Sequence, residues 1–314
     1  MTHKSKDKES KIMNEQAQTK NAFITIVGRA NAGKSSLLNA LVGEKIAAVS
    51  SKPQTTRTKI TGVLTKNETQ FVFIDTPGMH KAVNKLSEHM LKTVSDSVAD
   101  ADIILMMCDS TKKISPNETE LIKSFRKNDK VLLVLNKTDL IEKKDELIEK
   151  LAQYSELYDF TEVIPASVLT GDGLDAIMNA LDKLSVQGPH YFPDDKFTDQ
   201  PERVLMAEMI REKALINLNE EVPHGIAVTI ETVTERDTKD GEPIMDITAT
   251  IFCEKDSHKG ILIGKGGSML RRIGSEARQE LEDFFRIRVN LQCWVKVKEG
   301  WRNREGMIRN FGLD

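Results

Sequence analysis

The fold of this chain is decided by residues 28–35, which read Gly28-Arg29-Ala30-Asn31-Ala32-Gly33-Lys34-Ser35. The run before them, 22–27, is apolar and rich in β-branched residues, as a buried strand should be. The run after them, 36–42, has apolar residues at helical spacing. The pattern G-x-x-x-x-G-K-[ST] therefore lies between a strand and a helix, the context in which it forms a phosphate-binding loop.

The chemistry of this loop suits a polyphosphate with Mg²⁺. Its glycines let the backbone bend and turn N–H groups towards phosphates, at a helix N-terminus that favours anions. We expect Lys34 to reach the β- and γ-phosphates and Ser35, beside Ser36, to bind Mg²⁺ through its hydroxyl. A glycine-rich turn without a ligand is the alternative, because at average glycine usage the pattern arises by chance in on the order of one per cent of such chains.

Composition limits the class of protein. The 314 residues, 39% of them hydrophobic, suffice for two domains with separate cores, and a net charge of −3 excludes a uniformly basic nucleic-acid binder. Cys108, Cys253 and Cys293 lack disulfide or metal-type spacing, so we expect reduced thiols in a cytoplasmic protein. No apolar run approaches the length of about 18 residues that a membrane span needs. Residues 1–20 lack the apolar core of a signal peptide and are typical of a disordered tail.

Strand-like and helix-like segments alternate between residues 21 and 184. The predicted strands are 22–27, 60–65, 71–74, 103–108, 131–135 and 161–165, and the predicted helices are 34–42, 85–99, 116–127, 143–157 and 173–184. Because two of the strands, 103–108 and 131–135, are continuously apolar, we expect helices on both faces of the sheet. The pattern indicates an α/β domain with a mostly parallel sheet and the phosphate loop after its first strand.

Two polar segments add ligands for Mg²⁺ and the γ-phosphate. Asp75-Thr76-Pro77-Gly78, followed by Met79, comes directly after strand 71–74, where an aspartate can hold Mg²⁺ and the Gly78 N–H can bind the γ-phosphate. An ordinary turn is the alternative. Within the polar loop 52–57 a threonine could complete the Mg²⁺ shell, and we favour Thr56 over Thr55.

A third segment selects the base. Asn136-Lys137-Thr138-Asp139 follows strand 131–135, and the Asp139 carboxylate can accept hydrogen bonds from N1–H and the 2-amino group of guanine. Adenine lacks this donor arrangement and would leave a buried carboxylate unpaired. A polar loop with Asp139 as an N-cap is the alternative. Ser167 and Val168, after strand 161–165, can offer a backbone N–H to guanine O6.

A second domain follows a linker. Residues 185–201 contain three prolines and a glycine, which indicates a domain boundary. Beyond it, over 202–310, we predict a helix at 202–218, strands near 225–235 and 244–253, a glycine loop, a helix at 268–285 and a strand at 287–297. Residues 259–310 hold twelve Lys and Arg against six Asp and Glu, a local basic surface that suits nucleic acid. The predicted RNA contacts are Gly264, Lys265, Gly266, Gly267, Arg271, Arg272 and Trp301. We expect Trp294 to pack in the core.

The motifs in this order resemble those of Ras-like P-loop GTPases. The loop 54–57, the run 75–80 and Asn31 in the phosphate loop resemble the Era family of bacterial GTPases. The order α-β-β-α-α-β around the glycine loop resembles the type II KH domain that ends Era-family chains, so the resemblance covers everything except the N-terminal tail.

This resemblance implies a function. It implies hydrolysis of GTP to GDP, with Lys34, Thr56 and Gly78 as catalytic residues. Because Met79 stands where signalling GTPases carry a water-orienting glutamine, it implies slow hydrolysis, with a K⁺ ion held near Asn31. The implied partners are the 3′ end of small-subunit ribosomal RNA and the small ribosomal subunit, with a role in its maturation. We also expect a monomer, partly associated with the inner face of the membrane.

Two other interpretations of the sequence are alternatives to an RNA-binding GTPase. A metabolic P-loop kinase with a substrate-binding second domain would not need the guanine-type segment 136–139. A GTPase whose basic second domain docks on protein or acidic lipid would rely on charge more than on the glycine loop.

Overall fold

The computed structural model describes residues 19–79, 82–219 and 222–313. The predicted disordered tail lies outside the described residues as far as residue 18, and its last residue, Lys20, begins the first strand. Within the described residues, no helix is both long and apolar enough to cross a membrane. The three cysteines are free thiols.

The first domain alternates strands and helices as predicted. Its strands are β1 (Lys20–Val27), β2 (Ile60–Lys66), β3 (Thr69–Asp75), β4 (Ile103–Asp109), β5 (Val131–Asn136) and β6 (Glu162–Pro165), and its helices are α1 (Lys34–Val42), α2 (Lys85–Ala99), α3 (Pro116–Ser124), α4 (Lys144–Ser155) and α5 (Leu174–Leu184). Helix α3 is shorter than predicted because Phe125 adopts extended backbone and packs its ring into the core.

The sheet places the predicted motifs at one edge. Its strand order is β2-β3-β1-β4-β5-β6, and β2 pairs antiparallel with β3 while the other neighbours along this path are parallel. Buried clusters cover both faces of the sheet. The carboxyl ends of parallel strands meet at the same edge, so the loops after β1, β3, β5 and β6 converge there.

The predicted linker packs against the first domain. Val186–Gln187 form a short strand, β7, antiparallel to β1. The Val63 N–H donates to Phe197 O at 2.9 Å, and Thr198 Oγ1 donates to Thr61 O at 2.7 Å. The segment therefore extends the first domain up to the start of the next helix.

The second domain has the predicted α-β-β-α-α-β order. Its elements are α6 (Glu202–Asn217), β8 (Ala227–Asp237), β9 (Pro243–Cys253), α7 (Asp256–Ile263), α8 (Ser268–Phe285), β10 (Arg288–Val297) and a terminal helix α9 (Glu305–Asn310). The sheet order is β10-β9-β8, with β10 parallel and β8 antiparallel to β9. Ile273, Ala277 and Leu281 of α8 are fully buried at four-residue spacing. Burial of each larger side chain stabilises the domain by about 1.5–3 kcal/mol, and this stripe fixes α8 on the sheet.

A small apolar cluster joins the two domains. Leu86 and Met90 of α2 pack with Trp301, Ile308 and Leu313 at the end of the chain. The Lys85 Nζ also bonds a carboxylate of the terminal helix α9 at 2.9 Å. Helix α2, which follows the 75–79 motif, therefore rests directly on the second domain.

Candidate functional site

The phosphate loop is shaped by tight backbone packing. Gly28 has φ of 145°, and a Cβ there would lie 2.1 Å from the Met107 carbonyl oxygen. Only glycine fits this approach to strand β4. Helix α1 begins at Lys34, so the free N–H groups of its first turn face the loop. The geometry is that of an anion cradle at a helix N-terminus.

Lys34 and Asp75 are buried charges at the centre of the site. The Lys34 Nζ donates to the carbonyls of Gly28 and Arg29, each at 3.2 Å. Burial lowers the pKa of Lys34, and the nearby Asp75 opposes that shift. Burial raises the pKa of Asp75, against the opposing effects of Lys34, Ser35 and Thr56. A bound polyphosphate and cation would provide the countercharges that this pair needs.

Three oxygen ligands converge next to this pair. The Ser35 Oγ donates to Asp75 Oδ2 at 2.6 Å and lies 2.8 Å from Thr56 Oγ1. The other Asp75 oxygen, Oδ1, is buried without a hydrogen-bond partner in the described structure. Hard oxygen donors, one of them unpaired, fit Mg²⁺. Thr55 instead bonds Ser50 Oγ at 2.7 Å, so the structure brings Thr56 to the cluster and Thr55 away from it.

The 75–79 motif lies directly against the phosphate loop. The Met79 N–H donates to Gly28 O at 3.1 Å. A Cβ at Gly78 would lie 2.7 Å from the Ala30 Cα, so this approach also requires glycine. The Thr76 hydroxyl donates to Ile26 O at 2.8 Å and anchors the start of the motif to β1. The motif is therefore fixed against both the phosphate loop and strand β1.

The predicted base-binding residues form a connected wall. The Asn136 amide donates to Ala32 O at 2.8 Å and accepts from the Val168 N–H at 3.0 Å, which ties the phosphate loop to the 166–168 loop. The Ser167 Oγ donates to Asp139 Oδ1 at 2.6 Å. A cavity of about 790 Å³ extends from the phosphate loop to Asp139, which is large enough for a nucleotide.

Sequence reasoning missed Asp109 in this cavity. Its carboxylate accepts from Lys137 Nζ at 2.7 Å and holds that side chain along the cavity wall. Burial opposes ionisation, but hydrogen bonds from Lys137 and Thr111 outweigh it and hold the pKa of Asp109 below its usual range. Its position at the carboxyl end of the buried strand β4 is the signal that could have revealed it.

The polar loop 47–57 is attached to the second domain on both sides of Thr56. The Thr55 carbonyl accepts a hydrogen bond from Arg211 of helix α6. The Val49 N–H donates to Glu212 Oε2 at 2.7 Å, and the same carboxylate group binds Lys45 at 2.7 Å. These partners on α6 carried no motif, so the sequence alone gave no reason to single them out.

Arg57 is the deepest of these attachments. Its guanidinium is buried, donates to the carbonyls of Ile226 and His224, the latter at 3.0 Å, and lies 5.6 Å from the Trp301 ring centre. Burial, followed by repulsion from Arg211, lowers the pKa of Arg57 to about 9, so it stays charged at neutral pH. It joins the loop that carries Thr56 to the beginning of strand β8.

The glycine loop of the second domain opens into a groove. The loop 264–267 lies between α7 and α8, with Lys265 exposed. A groove of about 390 Å³ runs beside it between α8 and β10, lined by Gly267, Leu270, Arg271, Gly274, Ser275, Arg278, Leu291 and Cys293. Arg271 points into this groove, whereas the exposed Arg272 pairs with Glu276 at 2.9 Å. The apolar side chains of β10 were not among the predicted contacts.

The structure corrects the two tryptophan predictions. Trp301, predicted to contact RNA, is fully buried and donates its indole N–H to Gly225 O at 2.9 Å. Its ring is therefore not accessible for stacking on an RNA base. Trp294, predicted to lie in the core, is 59% exposed on the outer face of β10. Successive side chains of a strand point to opposite faces. Cys293 and Val295, on either side of Trp294, therefore pack inward while the indole points out.

The fold and site define a P-loop guanine-nucleotide-binding domain followed by a KH domain. Residues 23–137 match the family model for a 50S ribosome-binding GTPase, and residues 221–302 match the KH domain model. GTPase Era of Clostridioides difficile is 49% identical over 94% of this chain and 99% of its own length. GTPase Era of Ruminiclostridium cellulolyticum is 46% identical over 93% of this chain and 97% of its own.

Solved structures agree with these relatives. An Aquifex aeolicus Era variant bound to GDP·AlF4⁻ superposes with a TM-score of 0.89 at 37% identity, over 94% of this chain and 99% of that chain. Era in complex with MgGDPNP and nucleotides 1506–1542 of 16S ribosomal RNA gives 0.87 at 38% identity, with the same coverage. The chain belongs to the Era family of GTPases. The predicted fold, family and GTP-hydrolysing activity are confirmed.

Proposed function

We propose that this GTPase is a switch that binds the 3′ end of small-subunit ribosomal RNA and assists maturation of the small ribosomal subunit. The observation that carries the proposal is the pairing of two sites in one chain. A guanine-nucleotide site occupies the first domain, and a glycine-loop groove with an arginine on its wall occupies the second. The complex of a related Era with nucleotides 1506–1542 of 16S ribosomal RNA supports this choice of RNA.

In the nucleotide site, this chain's own residues divide the work. Lys34 would hold the β- and γ-phosphates, while Ser35, Thr56 and Asp75 would hold Mg²⁺, which supplies charge neutralisation when bound. The Gly78 N–H would bind the γ-phosphate. Asp139 would select guanine through the paired donors of that base.

Hydrolysis in this protein would be slow without help. Met79 packs against the phosphate loop and has no group that can orient water. Asn31 donates to Ser51 O at 2.7 Å and so spans the phosphate loop and the 47–57 loop. We propose that a K⁺ ion binds beside Asn31 and stabilises charge that develops during phosphoryl transfer.

The RNA site would use the loop 264–267 as a backbone clamp. Its glycines let nucleotide phosphates approach closely, and Lys265 and Arg271 supply charge beside the groove. Arg272 is exposed and would contact an RNA phosphate by exchanging its ion pair with Glu276. The contacts of Thr55 and Arg57 would transmit the nucleotide state to this domain, because both flank the proposed Mg²⁺ ligand Thr56.

The setting we propose is the cytoplasm, with the protein acting as a monomer on the small ribosomal subunit. Partial association with the cytoplasmic face of the membrane follows from the family resemblance. The domain division we propose is a nucleotide domain to residue 184, the packed segment 185–201 and an RNA-binding domain over 202–310.

Nucleotide binding with and without RNA tests the proposal. Wild-type protein should prefer GTP to ATP and to xanthosine triphosphate, and Asp139→Asn should shift the preference to xanthosine triphosphate because the 2-oxo group replaces an amino donor. An RNA matching nucleotides 1506–1542 should raise GTP turnover. A GTP preference with no response to RNA would contradict the second half of the proposal.

A variant pair separates RNA clamping from docking on acidic lipid. Gly266→Asp places a carboxylate in the glycine loop and should abolish RNA binding. Arg271→Ala with Arg272→Ala removes charge and should weaken binding to vesicles of anionic lipid more strongly than Gly266→Asp does. If vesicles bind wild-type protein and RNA does not, the second domain is a membrane-docking module.

A further inference from the structure

We propose that the outer face of β10 is a second RNA-binding surface, on which the Trp294 indole stacks against a base of single-stranded RNA leaving the groove. This proposal rests on the RNA-binding function proposed above. We name the surface the β10 outer row. Its members are the outward side chains of the strand, Arg288, Asn290, Gln292, Trp294 and Lys296.

The exposure of Trp294 needs an explanation. Its side chain is 59% exposed, although an indole is among the side chains that gain most from burial. Within the described part of the chain, it makes none of the ring contacts that hold Trp301 against Phe311 and Arg57. An exposed aromatic ring on a β-sheet is the platform on which RNA-binding sheets stack bases.

The neighbours of Trp294 suit an RNA strand. All members of the β10 outer row are exposed, and they comprise two cations, two amides and the indole, without a carboxylate. Lys296 stands two residues from Trp294 on the same face, at the spacing of one pleat repeat. A cation beside a stacking ring is the combination with which proteins hold a base and its phosphate together.

The nearest carboxylates on the same sheet face have partners. Asp246 on β9 accepts from Arg236 at 2.5 Å and from Asn290 Nδ2 at 2.7 Å. Glu231 on β8 accepts from the Thr229 hydroxyl at 3.0 Å. Arg236 offsets the charge of Asp246, whereas Glu231 keeps its charge and interacts with Lys296. The cations Arg288, Arg236 and Lys296 still outnumber the two carboxylates, so the row keeps a net positive edge.

The row is continuous with the groove of the second domain. β10 is the edge strand of its sheet, and its inward side chains Leu291 and Cys293 line the groove. Trp294 follows Cys293 directly and points to the opposite face. Only the thickness of one strand therefore separates the groove from the indole, and RNA that passes around the strand edge meets Trp294.

RNA length leaves nucleotides available for a second contact. A KH glycine loop clamps about four nucleotides, whereas the RNA in the related Era complex spans nucleotides 1506–1542. Nucleotides beyond the clamp are available to bind another part of the surface. A protein partner would also fit an exposed indole, but the absence of carboxylates in the row and its continuity with the groove favour RNA.

Two RNA lengths test this inference on the full chain. The long probe matches nucleotides 1506–1542, and the short probe is a fragment of about six nucleotides that fills the groove alone. Trp294→Ala should weaken binding of the long probe by about 5- to 150-fold, the range expected for loss of one stacked base. It should leave the short probe unaffected, and Trp294→Phe should retain most of the affinity.

Controls and a spectroscopic measurement sharpen the result. Tyr191→Ala removes another exposed aromatic ring, 58% exposed on the first domain, and should change neither affinity. The chain contains two tryptophans, so Trp301→Phe leaves Trp294 as its single fluorophore. The long probe should then quench tryptophan emission and the short probe should not. The affinity comparison uses wild-type Trp301 and stands even if Trp301→Phe fails to fold.

The outcomes separate this inference from the proposed function. If both probes bind and Trp294→Ala stays within twofold of wild type for the long one, the second surface does not exist and the groove-based function stands. Equal quenching by both probes would also overturn it, because the indole would then sense the groove itself. If neither probe binds, both proposals fall.

Discussion

Removing the Arg57 side chain should uncouple the two domains. Its guanidinium makes two charge-assisted hydrogen bonds to the carbonyls of Ile226 and His224 and lies over the Trp301 ring. At about 1.5 kcal/mol for each charge-assisted bond, Arg57→Ala costs about 3 kcal/mol before the cation–π contact is counted. That amount corresponds to a factor of roughly 150 in the equilibrium between docked and undocked arrangements.

The assay is the coupling between GTP and RNA. Affinity for a non-hydrolysable GTP analogue is measured with and without the RNA matching nucleotides 1506–1542, and the ratio gives the coupling factor. Wild-type coupling should fall in the common range of about 5- to 150-fold, and Arg57→Ala should reduce it below about twofold. Arg57→Lys should behave like the alanine variant, because an ammonium lacks the planar fork that reaches two carbonyls.

A matched control is available in the second domain. Arg203 also donates to backbone carbonyls of β8, those of Ile230 and Glu231 at 3.3 Å, but it lies away from the 47–57 loop. Arg203→Ala should keep wild-type coupling. If Arg57→Ala folds, binds both ligands and retains wild-type coupling, the attachment of this loop to β8 does not transmit the nucleotide state.

Two further predictions concern the nucleotide site itself. Gly78→Ala would place a methyl group 2.7 Å from the Ala30 Cα, so GTP turnover should fall tenfold or more while GDP affinity changes little. The control is Gly260→Ala, which has open space around its Cα and should leave turnover unchanged. Turnover should be faster in K⁺ than in Na⁺ buffer, and Asn31→Ala should remove the difference; equal wild-type rates in the two buffers would refute the K⁺ proposal.

The elements of the first domain could be predicted because local and global signals agree there. Strands β4 and β5 are continuously apolar and buried on both faces, and the phosphate loop has a spacing that few other structures use. Helix α1 was predicted with its observed bounds, since Gly33 and Gly43 mark its two ends. The motif positions follow from chain order, because parallel strands bring their carboxyl ends to one edge.

The failures arose where tertiary packing overrides a local pattern. Trp301 lies in a charged segment that is typical of an exposed surface. It is nevertheless buried against Gly225 and Arg57, which are far away in the sequence. The apolar neighbours of Trp294 predict a core position, but side chains alternate between the two faces of β10 and Trp294 lies on the exposed face. Arg211 and Glu212 on α6 follow no motif, and only their distance to the 47–57 loop reveals a role.

The arrangement around Thr56 explains how a small change at the nucleotide can act at a distance. Thr55 and Arg57 both bond to the second domain, and Thr56 between them reaches the Ser35 and Asp75 oxygens. Consecutive Cα atoms lie about 3.8 Å apart and the peptide units between them are planar, so Thr56 cannot move independently of its neighbours. Release of Thr56 on loss of the γ-phosphate would therefore strain both attachments at once. We infer that the chain needs no separate lever between its domains, because one tripeptide carries both the proposed Mg²⁺ ligand and the two domain contacts.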